Sequence, residues 1–96
     1  MTKVFKILKK EFKENKNLNI QFKENEIIIT KNFIFKIFLW EASKNRINIS
    51  YNWNFGYLGE LIFNTDLKKM KNSVMRIENV LMKENIIITK IIKINT

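Results

Sequence analysis

Ninety-six residues with 46% hydrophobic content suffice for one folded domain over residues 1–96 and are too apolar for a disordered chain. The formal net charge is +9, from 18 basic and nine acidic residues, which favours acidic or polyanionic partners. Neither Cys nor His occurs, so the composition excludes disulfides, thiol chemistry, a histidine general base and the two best zinc ligands.

No apolar run approaches the roughly 20 residues of a membrane span, and no signal-like stretch opens the chain, so a cytoplasmic location away from the membrane is expected. Ile, Lys and Asn supply 47 of the 96 residues. AT-rich codons favour those three, so part of the charge follows from compositional bias. Lysine provides 16 of the 18 basic residues, whereas a dedicated phosphate reader would use more arginine for bidentate contacts.

In chain order, Thr2 is placed to cap a first helix whose Val4, Phe5, Leu8 and Phe12 share one face. Its other side carries Lys3, Lys6, Lys10 and Lys13. These four form either a phosphate-facing stripe or a solvated face partly neutralised by Glu11 and Glu14. Asn15 to Asn17 end the helix, and Leu18, Ile20 and Phe22 alternate with polar residues as in a half-buried strand. Lys23 to Glu26 read as a polar turn, Ile27 to Thr30 as a β-branched strand, and Lys31-Asn32 as a two-residue turn that lacks the favoured glycine.

The next segment, Phe33 to Trp40, is apolar on both sides. Alternation puts Phe33, Phe35, Ile37 and Leu39 on one face and Ile34, Lys36, Phe38 and Trp40 on the other. With one charge in eight residues, it reads as a central strand. Glu41 to Arg46 is a polar turn, after which Ile47, Ile49, Tyr51 and Trp53 alternate cleanly with Asn48, Ser50, Asn52 and Asn54.

The two glycines, Gly56 and Gly59, mark a change of direction, and no Gly-Lys-Ser/Thr follows to make a phosphate loop. Trp53, Phe55, Tyr57 and Phe63 crowd this corner, as core packing or as the lining of a ligand pocket, with packing the leading reading. Asn64 or Thr65 then caps a second helix, with Asp66 suited to its dipole. Leu67, Met70, Val74, Ile77 and Leu81 form a single apolar seam expected to lie on the sheet against Ile47, Ile49, Tyr51 and Trp53, with Met75 and Met82 off it. A last strand, Ile86 to Ile94, closes the chain. Residues 23–31 and 83–90 echo one another, as a duplication or as a product of biased composition.

The predicted fold is therefore α+β, a small single domain of order α-β-β-β-β-α-β. Its antiparallel sheet has about five strands and carries both helices on one face. If Phe33 to Leu39 pair with Ile47 to Trp53, with both apolar sets toward the helices, the reverse face holds Ile34, Lys36, Phe38 and Trp40 beside Asn48, Ser50 and Asn52. Aromatic residues among asparagines have the mixed character of a recognition surface. These seven are the candidate partner-binding residues, and a homodimer through this face or a register shifted by one are the competing readings.

For catalysis the chain offers scattered carboxylates, with Glu41, Lys44 and Arg46 as the densest polar cluster. The segment Phe38-Leu39-Trp40-Glu41-Ala42-Ser43-Lys44-Asn45-Arg46-Ile47-Asn48 resembles the opening of BrnT-type ribonuclease toxins, which implies a toxin-like ribonuclease. In that family the segment opens the chain and a His-Gly pair follows, and neither feature is present here. No spacing of a calcium loop occurs, and no metal or cofactor is expected.

Two binding functions remain ahead of that one. The first is a non-enzymatic inhibitor or adaptor that captures another protein, with a nucleic-acid-handling complex as one such partner. In size and style, short motif-free chains of this kind are similar to anti-CRISPR and other anti-defence proteins of phage and mobile elements. The second is direct RNA or DNA binding through Lys3, Lys6, Lys10 and Lys13 and the sheet aromatics.

Overall fold

The computed structural model describes the backbone of residues 1–31, 35–53 and 59–92, and the side chains of these except 52–53, 59–67 and 92. The element order is α1 (Thr2–Glu11), β1 (Asn19–Lys23), β2 (Glu26–Lys31), β3 (Phe35–Ser43), β4 (Arg46–Trp53), α2 (Gly59–Met82) and β5 (Ile87–Ile92). The five strands form one sheet in the order β1-β2-β3-β4-β5. This is the expected α+β arrangement. One pairing differs from the expected antiparallel sheet: β5 runs parallel to β4, starting at Arg46↔Ile87, so the sheet is mixed. Helix α2 makes the crossover that a parallel neighbour requires.

The sheet uses its alternation as the sequence dictates. Ile27 and Ile29 of β2, Phe35, Ile37 and Leu39 of β3, and Ile47, Ile49 and Tyr51 of β4 are buried. They share one core with Val4, Leu8 and Phe12 of α1 and with Met70, Val74, Ile77 and Leu81 of α2. Both helices thus lie on one face. The α2 seam is buried as its spacing requires, while Met75 and Met82 are 58% and 64% exposed. The seam member Leu67 and the expected partner Trp53 have side chains outside the described residues. At the sheet edge, Phe5 of α1 sits 5.4 Å from Phe22 of β1, ring centre to ring centre, and anchors the helix there.

The helix starts differ from the sequence expectation. Met1 is the N-cap of α1 and its carbonyl accepts from Phe5 N–H at 2.9 Å. Thr2 lies inside the helix, without a side-chain capping bond. Helix α2 begins at Gly59, so Asn64 and Thr65 are inside it rather than at its cap. A helical stretch from residue 59 already contains the apolar run Leu61-Ile62-Phe63, and helix propagation through it outweighs the capping tendency of two polar residues.

The connections differ in length from those the sequence suggests. Lys23 pairs with Glu26, so Glu24 and Asn25 form a two-residue turn, both at positive φ (51° and 63°) as a type I′ hairpin demands. Strand β3 runs on to Ser43, which pairs with Arg46, so the polar turn expected over residues 41–46 shrinks to Lys44 and Asn45. A bulge between Glu41 and Ser43 accommodates the change of register. Lys31 pairs with Phe35, which leaves three residues between paired positions instead of the expected two. Residues 32–34 themselves, and with them Phe33 and Ile34, lie outside the described residues, as does the glycine corner at 54–58.

Past the end of α2 at Met82, Asn85 turns the chain at φ 60°. Ile86 N–H donates to Leu81 O at 3.1 Å and Asn85 N–H to Met82 O at 3.0 Å, the paired bonds of a Schellman stop. Buried Leu81 and Ile86 supply its apolar contact. The echo between residues 23–31 and 83–90 therefore places a left-handed Asn, Asn25 and Asn85, before a strand in both copies. The first follows a hairpin strand and the second a helix. No helix among the described residues is long and apolar enough to cross a membrane.

Candidate binding face

The side of the sheet away from the helices follows from the registers. One row across it is Gln21, Ile28, Phe38, Ser50 and Ile91, on β1 to β5 in turn. The next row is Lys23, Glu26, Trp40, Asn48 and Thr89. A third holds Asn19, Thr30, Lys36 and Asn52. The structure thus brings together five of the seven expected partner-binding residues, Lys36, Phe38, Trp40, Asn48 and Ser50. Asn52 joins them by backbone register, and Ile34 lies outside the described residues. The alternative register is excluded: Leu39 faces Ile49 and Ile37 faces Tyr51, all buried on the helix side.

Burial grades across this face. Phe38, Trp40, Ile28 and Asn48 are half-buried and Lys36 is exposed. Ser50 is buried at 8%, flanked in its row by Phe38 and Ile91. Ile91 and Ile87 of the edge strand β5 are 37% and 53% exposed. An apolar band therefore crosses the open face from Ile28 through Phe38 to Ile91. Strand periodicity already carries Ile28, opposite in sense to Ile27 and Ile29. Ile91 was missed because its membership depends on β5 lying parallel beside β4.

A hollow of about 770 Å³ opens beside this band, lined by Glu24, Asn25, Glu26, Phe38, Trp40, Glu41, Ser50 and Tyr51. Among the described residues, its lining holds three glutamates and no lysine or arginine. The β1–β2 turn brings Glu24 and Glu26 to the end of β3, where Trp40 and Glu41 sit, because Glu26 pairs with Trp40. In a chain of charge +9 this is a local inversion of sign. Among the described residues, no group of three or more His, Cys, Asp or Glu has the arrangement to hold a metal ion.

The lysine stripe lies elsewhere. Lys3, Lys6, Lys10 and Lys13 are all exposed, on and just past α1, which covers the opposite side of the sheet. Lys3 is within 3.8 Å of Glu84. Phe38 and Trp40 therefore lie on the side of the sheet away from the stripe, whereas Phe22 of β1 lies beside α1. The segment 38–48 that resembles the ribonuclease toxins forms the end of β3, its turn and the start of β4. Glu41, Lys44 and Arg46 are exposed there, with no ion pair among them. No family model, no curated protein and no solved structure matches this chain.

Proposed function

We propose that the protein is a small non-enzymatic binder that captures another protein on the open sheet face and acts as an inhibitor or adaptor. The observation that carries this reading is the half-buried pair Phe38 and Trp40, set in an apolar band on the face that neither helix covers. Interface centres favour aromatic anchors ringed by polar groups, and Asn48, Thr30 and Lys36 supply that ring. The three glutamates beside Trp40 define the partner further. They repel a phosphate backbone and favour a protein patch of apolar character edged by Lys or Arg. An anti-defence role, against a complex that handles nucleic acid, is the setting proposed from the chain's size and style.

The test is a pull-down with the full chain, the Phe38→Ala/Trp40→Ala variant and the Glu26→Lys/Glu41→Lys variant, with and without nuclease. Sizing and thermal melting accompany each. A partner retained after nuclease treatment, and lost from both folded variants, is the expected result. A wild-type dimer that becomes monomeric in the aromatic variant assigns the face to self-association instead. Unfolding of that variant would mean that the face is core, and the reading fails.

A further inference from the structure

The glutamate hollow lies at one end of the sheet, where Lys23, Lys44 and Arg46 are also placed, and the opposite end gathers cations of its own. Strands β1, β2 and β3 each contribute to both ends. The first end has Glu24, Glu26 and Glu41, and the second has the approach to β1, the last residue of β2 and the first of β3. At the second end a hollow of about 280 Å³ is walled by Asn15, Asn17, Lys31, Lys69, Asn72 and Arg76, among others. A neighbouring hollow of about 440 Å³ adds Lys16, Asn19 and Thr30, and shares Asn17 and Leu18 with the first. Among the described residues, four cations and four asparagines line the pair, and no carboxylate does.

Arg76 is held in place rather than left to wander. Its guanidinium carbon sits 4.6 Å from the ring centre of Phe12, and Nη2 donates to the Glu11 carbonyl at 2.9 Å. Nε and Nη2 also reach Glu11 Oε1 at 3.4 and 3.3 Å, which leaves the Nη1 donors outside that pairing. Ser73 Oγ donates to Lys69 O, tying the α2 wall together.

We propose that these adjoining hollows grip successive phosphates of a single-stranded nucleic acid, at an end of the sheet where Asn19 and Thr30 also border the open face. Lysines and a positioned arginine neutralise the phosphates, and asparagine amides donate to their oxygens. Among the described residues of the lining the one aromatic, Phe35, is buried. The contacts proposed for these cations and amides are to the phosphate backbone, which carries no sequence information. Small recessed hollows suit a flexible strand better than a rigid duplex. The lysine stripe of α1 is not needed for it.

Fluorescence anisotropy of labelled oligothymidylate and oligouridylate, with the full chain, tests this directly. Phosphate contacts from Lys16, Lys69 and Arg76 predict a slope of about −2 in log K against log salt between about 50 and 200 mM. Lys16→Gln/Lys69→Gln should weaken binding about tenfold and flatten that slope by about 1.4. The charge-matched control Lys6→Gln/Lys13→Gln and the Phe38→Ala/Trp40→Ala variant should leave both nearly unchanged. Equal losses in the two lysine variants would reduce the effect to net charge and overturn the proposal. No measurable binding by the wild-type chain at low salt would overturn it too. Melting curves for every variant separate lost binding from lost fold.

Discussion

Phe38 and Leu39 are neighbours in one strand and occupy opposite environments. Leu39 is fully buried under the helices, whereas Phe38 is half-buried on the open side. The same contrast holds along the sheet, with Ile27, Ile29, Ile37 and Ile49 sealed on one face and Ile28, Trp40 and Ile91 partly exposed on the other. Apolar side chains thus serve two ends in this protein. One face closes the core, and the other carries an apolar band with nothing of the chain's described residues over it.

The largest expected effects lie on the closed face. Replacing Leu39 or Ile77 with Ala should cost roughly 2–5 kcal/mol, because each is fully buried and leaves a cavity. Phe38 is partly exposed on the open face, so Phe38→Ala should cost less, about 1–2 kcal/mol. Denaturant midpoints of the three variants measure the difference. If Phe38→Ala proved as damaging as Leu39→Ala, both faces would be core and the contrast would collapse. An unchanged midpoint for Ile77→Ala would refute the packing of the α2 seam.

A middle-sized effect sharpens how the edge of the open face is placed. Asn85 turns the chain from α2 into β5 at φ 60°, a region that costs other non-glycine residues about 1–2 kcal/mol. Asn85→Ala should therefore lose about 1 kcal/mol, and Asn85→Gly should match or exceed the native stability. Equal stabilities for Ala and Gly would show that the left-handed stop is not what fixes the entry to β5.

Much of this could be read from the sequence, because the relevant signals are local. Period-two alternation identified Ile47, Ile49 and Tyr51, and the spacing of Met70, Val74, Ile77 and Leu81 identified the seam. The pair Phe38 and Trp40 was visible by the same rule. Strand orientation was not. The segment Ile86 to Ile94 is β-branched on both faces and carries no sign of direction. What sets it is the length of α2, whose 24 residues span about 36 Å and return the chain to the end where β4 begins. The glutamate hollow and the basic end were invisible for a related reason. Each gathers residues from separate connections, and only the registers bring Glu26 beside Trp40 or Lys31 beside Phe35.

The smallest expected effect concerns the bond between the two helices. Arg76 and Glu11 are paired at 3.3 Å with side chains 46% and 34% exposed, so solvent screens much of their attraction. A double-mutant cycle with Arg76→Ala and Glu11→Ala should give a coupling of about 0.2–1 kcal/mol, lower at high salt. Arg76→Ala alone should cost somewhat more than Glu11→Ala, because it also removes the guanidinium stacked on Phe12. Arg76→Lys should recover little of that loss, since a single ammonium cannot bond the Glu11 carbonyl and carboxylate while covering the ring. A coupling that persisted undiminished at high salt would mean the pair is sealed from water. Arg76 would then be a structural lock, closed to any phosphate. A weak, salt-sensitive coupling leaves the guanidinium within reach of solvent at the basic end, where a ligand can meet it.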